Sequence, residues 1–167
     1  MRRLLYGYDV QIAEWAFKAF NRVPTPFVMA IGITDGHVIK GAVLLQEYNG
    51  NNVEVSWYGP FTMTRGFLRE IATIALDKLK VQRMTVRIMR RNKMLNRSIR
   101  KLGFKYEGVM PGFYGPSKGD AAVVFGLYRE GLEKLRKCPS HSSDRGVMDF
   151  PSASAPNTGL SSPLTPT

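Results

Sequence analysis

The connection over residues 59–66, which reads GPFTMTRG, has the residue types and the position of an anion-binding loop. It follows a predicted strand and leads into a predicted helix, whose first backbone N–H groups and positive dipole end attract negative charge. Gly66 would let the backbone approach a phosphate closely, and Arg65 would add a positive charge. An ordinary strand–helix connection with a glycine near the cap has the same pattern, so the loop alone leaves both interpretations open.

The elements that position this loop follow from hydrophobic periodicity. Helical spacing predicts helices over residues 10–20 and 66–80, and a third helix that Asn92 caps and Gly103 ends. Alternating or β-branched runs predict strands over residues 27–33, 38–48, 53–58, 84–89, 104–109 and 120–128. Because a helix joins the third and fourth of these strands, the two must run parallel through a right-handed crossover. The predicted fold class is α/β, with a mixed, mostly antiparallel sheet.

Positive charge is concentrated in one stretch of the chain. The formal net charge is +11, and between Lys78 and Lys105 there are eleven basic residues and no acidic one. This concentration favours an anionic partner: a nucleic acid, a membrane surface or a phosphorylated cofactor. The stretch lacks interleaved aromatic residues and a helix-turn-helix pattern, which counts against sequence-specific nucleic-acid binding.

The remaining composition excludes several classes of protein. A single cysteine, Cys138, excludes a disulfide framework and a multi-cysteine metal site, and two histidines are too few for a histidine-rich zinc site. We predict no metal and assign His37 to an exposed hairpin turn. No apolar run approaches the ~18 residues of a membrane span, and the apolar run at the start is too short for a signal peptide. We expect a soluble, cytoplasmic protein without a membrane partner.

The composition changes at Cys138. Of the 30 residues from there to the end, 17 are Pro, Ser, Thr or Gly. Such a segment buries too little apolar surface to offset its ordering entropy. We predict a folded domain over residues 1–137 with net charge +12, followed by a flexible tail over residues 138–167 with net charge −1.

A second segment, residues 91–108, resembles the last conserved segment of the GNAT superfamily of acyl-CoA N-acyltransferases. In that family an Asn opens a helix, Lys-Leu-Gly-Phe follows, and a Glu-Gly pair often comes next; Asn92, residues 101–104 and residues 107–108 match without gaps. Asp120 before a closing strand is similar to the ribosomal-protein-acetylating branch. Residues 4–9 and 64–69 look like small GNAT proteins encoded by bacteriophages and prophages. The resemblance covers about residues 4–130.

The resemblance implies a GNAT fold, with one parallel βαβ crossover and helices on both faces of the sheet, and acetyl-CoA as co-substrate. It implies that the pantetheine runs along the strand containing Val55 and Trp57, and that Asn92 lies near the thiol end. The residues that it implies at the pyrophosphate and the 3′-phosphate are Thr62, Met63, Thr64, Arg65, Gly66, Phe67, Lys93 and Arg97.

Two places depart from the family pattern. The pyrophosphate motif Gln/Arg-x-x-Gly-x-Gly/Ala, placed on Gly66, has Phe61 and Thr64 at its first two defined positions, so Thr64 would contribute its N–H and hydroxyl instead. Ile99 stands where many members have a Tyr that protonates the leaving thiolate. Solvent would supply that proton here.

The transfer implied by the resemblance needs a base that takes a proton from the attacking amine. Our candidate is Glu54, on the strand that lines the pantetheine. The alternative, a solvent-facing carboxylate, stays open because alternation places charge outward on half-exposed strands. Tyr58 and Tyr114 are candidate wall or acid residues. Phe113 and Tyr114 lie in the turn-rich segment 111–119, where we expect substrate selection.

The sequence thus predicts an acyl-CoA-dependent N-acetyltransferase acting on an amine, on a protein rather than a polyamine. Two other interpretations remain: a GNAT-fold structural or host-interaction protein of a virion that has lost catalysis, and a basic module that binds nucleic acid non-specifically. Acetyl-CoA carries about four negative charges, fewer than the basic residues of the stretch. Residues 78–105 therefore also predict a second anionic partner, an acidic protein or a nucleic acid. The resemblance leaves a homodimer open.

Overall fold

The computed structural model describes residues 2–59 and 65–137. Its strands are β1 (Arg2–Leu5), β2 (Phe27–Asp35), β3 (Val38–Gln46), β4 (Asn52–Tyr58), β5 (Arg83–Met89), β6 (Lys105–Met110) and β7 (Ala122–Tyr128). Its helices are α1 (Asp9–Ala19), α2 (Arg65–Thr73), α3 (Lys93–Lys101) and α4 (Arg129–Lys137). The predicted tail and the predicted loop residues Thr62, Met63 and Thr64 lie outside the described residues, as does the side chain of Arg65.

The strands form one seven-stranded sheet in the order β1-β2-β3-β4-β5-β7-β6. The β4–β5 pair is parallel, and the other neighbours are antiparallel. This confirms the mixed, mostly antiparallel α/β sheet with its one crossover, because α2 joins β4 to β5. The long connection through α2 is what a parallel pair requires.

Helices cover both faces of the sheet, as predicted. On one side, here called the α1 face, α1 packs Ile12 and Ala16 against Ala30, Ala42 and Leu44. A Cβ added at Gly32 would lie 3.3 Å from the Ile12 side chain, so the glycine lets α1 approach the strands closely. The other side, here called the α2 face, holds the larger core, built with side chains of α2, α3 and α4.

The predicted capping of α3 is confirmed. The Asn92 Oδ1 accepts a hydrogen bond from the Leu95 N–H at 3.1 Å, which satisfies one of the free donors at the helix start. Gly103 follows the helix with a φ of +92°, a conformation that a residue with a Cβ rarely adopts. These two residues fix where α3 begins and ends.

The structure differs from the sequence prediction at several element ends. Strand β1 and helix α4 were not predicted, and β3 ends at Gln46 rather than at residue 48, since Glu47 has a φ of +47°. The helix predicted over residues 66–80 is α-helical only to Thr73 and continues as a π-helical turn, Ile74–Lys78. No helix in the described ranges is long and apolar enough to cross a membrane.

Candidate active site

Strands β4 and β5 separate to form a wedge that opens within the sheet. Their parallel pairing covers Asn52, Val53 and Glu54 of β4 and then stops. Beyond that point residues 55–58 pair only with β3, whereas residues 86–89 pair only with β7. Between the described parts of the two strands, the facing backbone N–H and C=O groups therefore lack a strand partner. An extended ligand can bind such free strand edges with its own amide groups.

Glu54 lies at the apex of this wedge, as the last β4 residue paired with β5. It is 8% exposed, and its Oε2 lies 2.5 Å from an Arg87 guanidinium nitrogen in an ion pair without an aligned hydrogen bond. Arg87 also forms an ion pair with Glu47 at the end of β3. The solvent-facing alternative for Glu54 is wrong. Because side chains alternate along β4, the Glu54 side chain lies on the face of the sheet opposite to the larger core, and other side chains bury it there.

The environment of Glu54 changes its protonation. Burial raises the pKa of its carboxyl from 4.5 to about 7, the Arg87 charge opposes the increase, and the Glu47 charge adds to it. A carboxyl with this pKa is deprotonated in half of the molecules near neutral pH. It can therefore accept a proton there and release it again, as a general base must.

The segment between β6 and β7 covers the Glu54–Arg87 pair. The Tyr114 hydroxyl donates to the Arg87 carbonyl at 3.2 Å, and the Arg87 guanidinium carbon lies 5.0 Å from the Phe113 ring centroid. The two aromatic rings pack edge to face at 4.8 Å. Both predicted substrate-loop residues thus contact Arg87, the arginine that pairs with the candidate base.

Asp120 fixes this covering segment. Its Oδ2 accepts a hydrogen bond from the Ser117 hydroxyl at 2.6 Å, its Oδ1 lies 3.0 Å from Arg91, and its carbonyl accepts from the Tyr114 N–H at 3.0 Å. The Ser117 hydrogen bond is the main cause that lowers the pKa of the Asp120 carboxyl. A Cβ at Gly115 would lie 2.8 Å from the carboxylate, so only glycine fits there without a shift.

Tyr58 closes the site from the side of α1. Its ring contacts Phe17 and Phe20 edge to face, at centroid distances of 6.2 Å and 5.7 Å. Burial raises the pKa of Tyr58, and burial with the Glu54 charge raises the pKa of Tyr114 to about 12. Both phenols keep their protons near neutral pH. They can donate hydrogen bonds, and the Glu54 carboxyl is the group beside them that titrates near neutrality.

The predicted cofactor residues on β4 differ in what they offer. Val55 is buried in the core of the α2 face, so only its backbone is available to a ligand in the wedge. Trp57 packs against the same core, and its indole N–H is buried with no acceptor among the described residues. A buried donor without a partner is unfavourable, which makes it a candidate contact for a ligand carbonyl. Gly59 follows with a φ of +109°, and a Cβ there would lie 2.6 Å from the Lys40 carbonyl oxygen.

Only some of the predicted cofactor residues on α2 and α3 have side chains that a ligand could contact. Gly66 lies in the first turn of α2, whereas the side chain of Phe67 is buried in the core. Asn92 uses its Oδ1 for the α3 cap, and Lys93 and Arg97 are exposed on α3. Ile99, at the position of the family's Tyr, is 1% exposed in the core of the α2 face. It therefore belongs to the packing, not to the site.

Sequence reasoning missed Arg87, Glu47 and Arg22 as parts of this site. Arg22 lies beside Tyr114, with its guanidinium carbon 5.7 Å from the ring centroid. A clue existed for Arg87, a charged residue in the predicted strand 84–89, but the other two carry no motif. Among the described residues, no group of three or more His, Cys, Asp or Glu could hold a metal ion.

No protein-family model matches the chain, and no curated protein matches it. Solved structures do. A chimera of the spermidine N-acetyltransferase SpeG from Vibrio cholerae and hSSAT has a TM-score of 0.62 at 13% identity, over 80% of this chain and 99% of that one. Mutant forms of the Vibrio cholerae spermidine/spermine N-acetyltransferase SpeG have a TM-score of 0.55 at 12% identity, over 64% and 67% of the two chains.

These identities are low enough that the likeness shows the fold alone. Nothing in the similar structures supports a phage origin, which stays a prediction. The strand order, the parallel β4–β5 pair and the helices on both faces are those of the GNAT fold.

Proposed function

We propose that this protein is an acyl-CoA-dependent N-acetyltransferase that transfers an acetyl group from acetyl-CoA to an amine. The observation that carries the proposal is the β4–β5 wedge with Glu54 at its apex. The wedge offers free strand edges to a chain of amides such as pantetheine, and Glu54 offers a base beside its inner end. The buried, unpartnered indole N–H of Trp57 supports a ligand in the same place.

Glu54 has the role of general base in this proposal. The neutral amine attacks the thioester carbonyl carbon, a C–N bond forms and the C–S bond breaks. The carboxylate takes one proton from the attacking nitrogen, directly or through one water, and the departing thiolate takes a proton from solvent. Free backbone N–H groups along β4 can polarise the carbonyl oxygen. Tyr58 and Tyr114 form walls and hydrogen-bond donors.

The start of α2 would hold the pyrophosphate. Here the backbone N–H of Gly66 belongs to the first turn of a helix that begins at Arg65, and this turn contains no acidic residue. Thr62, Met63 and Thr64 precede it in the chain, and Lys93 and Arg97 are assigned to the 3′-phosphate. Both of these side chains are exposed, so they are free to move towards a ligand.

We propose a protein amine as acceptor rather than a polyamine. The acetyltransferases named above act on spermidine or spermine, which are polycations. Here the carboxylates beside the site, Glu47 and Glu54, both contact Arg87, and residues 1–137 carry a net charge of +12. A polycation would be repelled by this surface, whereas an acidic segment would be attracted.

A second anionic partner for the basic stretch is a separate proposal. The observation that favours it is the exposed face of α3, where Arg97, Arg100 and Lys101 form no ion pair with any described residue. Binding to a random DNA duplex should weaken linearly in a log–log plot against salt. Replacing Lys101 by Ala should reduce the slope by about 0.9 if that residue contacts one phosphate. A wild-type protein that binds no duplex at low salt would exclude the nucleic acid.

Calorimetry with acetyl-CoA, followed by a thiol assay for released CoA with a panel of amines and acidic peptides, tests the proposed function. We expect saturable binding and amine-dependent release of CoA. Binding without release for any amine would favour the structural or host-interaction interpretation. No saturable binding at low salt would contradict an acyl-CoA-dependent enzyme.

A further inference from the structure

The exposed Arg22 lies at the edge of the candidate site, beside the segment between β6 and β7; this edge is here called the mouth of the site. Helix α1 ends at Ala19, and Asn21, with a φ of +47°, turns the chain back. The Arg22 N–H then donates to the Phe17 carbonyl at 2.8 Å, which fixes its backbone against the end of α1. The guanidinium carbon lies 5.7 Å from the Tyr114 ring centroid. Arg22 therefore occupies a defined place on the covering segment.

This place is connected to the candidate base by a short series of contacts. Tyr114, under Arg22, donates its hydroxyl to the Arg87 carbonyl at 3.2 Å. The Arg87 guanidinium in turn lies 2.5 Å from the Glu54 carboxylate. On the other side, the Tyr58 ring contacts Phe20, only two residues before Arg22. The positive charge of Arg22 also acts on both phenols, lowering the pKa of each against the effect of burial.

The two arginines of the site differ in their counter-charges. Arg87 contacts two carboxylates, Glu47 and Glu54. Arg22 is exposed and forms no ion pair with any residue of the described ranges. Its planar guanidinium offers two parallel donors, which match the two oxygens of a carboxylate. Arg22 is therefore available to a carboxylate of a ligand that enters the site.

We infer that Arg22 binds a carboxylate of the acceptor, so that the substrate class is an amine that also carries a carboxylate. The inference rests on the proposed function. Two sources supply this chemistry: a free amino acid, or a protein whose N-terminal residue has an acidic side chain. In both, the amine reaches Glu54 while the carboxylate stays at the mouth. A diamine places a second positive charge beside Arg22 and binds poorly.

The test compares matched acceptors that differ only in the carboxylate. One arm uses β-alanine against β-alanine amide, and the other uses the peptide amide Asp-Ala against Asn-Ala. In the wild type we expect kcat/KM for the carboxylate acceptor of one arm to exceed that for its amide by about 10- to 100-fold, as for a hydrogen bond between charged groups. The arm that shows the larger ratio of kcat/KM indicates whether the acceptor is a free amino acid or a protein N-terminus.

Two variants separate binding by Arg22 from a structural role. Arg22→Ala should reduce the preference to about one, mainly through KM, and Arg22→Lys should restore part of it. Lys18→Ala is the matched control, since Lys18 is also an exposed cation at the end of α1, whereas Arg22 is the cation that lies over the Tyr114 ring. It should keep the wild-type preference. An unchanged preference in Arg22→Ala would overturn the inference.

A binding measurement keeps this result separate from the proposed function. Ligand-detected NMR reports whether the carboxylate acceptor and the amide acceptor of each arm bind to the wild type and to Arg22→Ala in the absence of acetyl-CoA. Carboxylate-dependent binding that is lost in Arg22→Ala supports the inference even if no acceptor is acetylated, in which case only the proposed function fails. No difference between the carboxylate and amide acceptors, in binding or turnover by the wild type, contradicts the inference alone.

Discussion

Two neighbouring parts of the basic stretch use positive charge in different ways. On β5, Arg83 forms an ion pair with Glu107, and Arg87 forms ion pairs with Glu47 and Glu54. On α3, the exposed cations have no carboxylate partner among the described residues; Arg100 instead lies over the rings of Tyr106 and Phe125.

The difference follows from position in the fold. Strand β5 lies between β4 and β7, and the Arg87 side chain is only 16% exposed, so its charge needs a partner that replaces water. Helix α3 presents its cations to solvent, where no partner is required. The run of positive charges in the sequence therefore forms two features in the structure: paired arginines on β5, of which Arg87 belongs to the candidate site, and an unpaired cationic face on α3.

The largest expected effect concerns Glu54, the carboxylate that pairs with Arg87. Glu54→Gln keeps the size of the side chain but removes the base. We expect kcat to fall by about 10²- to 10⁴-fold, the usual contribution of general-base catalysis, with little change in the Kd for acetyl-CoA. A thiol assay and calorimetry measure the two quantities. Glu47→Gln is the matched control, because Glu47 contacts the same arginine but lies exposed at the end of β3. Equal losses in both variants would contradict a special role for Glu54.

The next largest effect concerns Arg87, the partner of Glu54. Arg87→Gln removes the positive charge that opposes the high pKa of Glu54. The acidic limb of the kcat/KM profile should move to higher pH by ~1–3 pH units, the usual effect of a close opposite charge. Arg91→Gln, which loses a contact with Asp120 instead, should leave the limb in place. A limb that moves equally in both variants, or in neither, would show that Arg87 does not tune the base.

Stability should depend on pH through the same group. The folded state raises the pKa of Glu54 to about 7, so it favours the protonated form more than the unfolded chain does. This contribution is fully present below pH 4.5 and is lost as the pH rises through 7. The change in free energy of unfolding between pH 5 and pH 8, measured with urea, should therefore be more negative in the wild type than in Glu54→Gln. Parallel curves for the two proteins would argue against the raised pKa.

The smallest expected effect compares a paired cation, Arg83, with an unpaired one, Lys101. Arg83→Ala breaks a contact network in which Tyr128 also donates to Glu107 at 2.7 Å. It should lower the free energy of unfolding by ~1 kcal/mol or less, because the pair is partly exposed. Lys101→Ala should change it by less than ~0.5 kcal/mol, since that side chain is exposed and unpaired. Urea unfolding compares the two, and an equal loss in both would remove the distinction.

Much of the sheet could be predicted from the sequence because its strands alternate or are β-branched, and because Asn92 and Gly103 mark the two ends of α3. Strand β1 was missed because it has only four residues. Helix α4 was missed because its sequence is mostly charged, with Leu132 as its fully buried side chain. Its stability comes from packing beside α2, which a local pattern does not show.

The candidate site was less accessible to sequence reasoning. Glu54 and Tyr58 could be named from the strand that the resemblance assigned to pantetheine. The burial of Glu54 could not, because its partner Arg87 and the residues that contact Arg87, Phe113 and Tyr114, come about thirty to sixty residues later in the chain. Arg22 stands between a helix and a strand without a motif, and only the fold brings it to Tyr114.

The role of Glu54 as general base is tested most directly by the pH dependence of kcat/KM for CoA release, recorded for the wild type and Glu54→Gln side by side. Two acceptors whose amines differ in pKa separate the enzyme's titration from that of the substrate. We predict for the wild type an acidic limb with a pKa near 7 that is the same for both acceptors, in addition to the titration of each amine, and that is absent in Glu54→Gln. The same limb in both proteins, or no acetyl-CoA-dependent release of CoA at any pH, would contradict this role of Glu54.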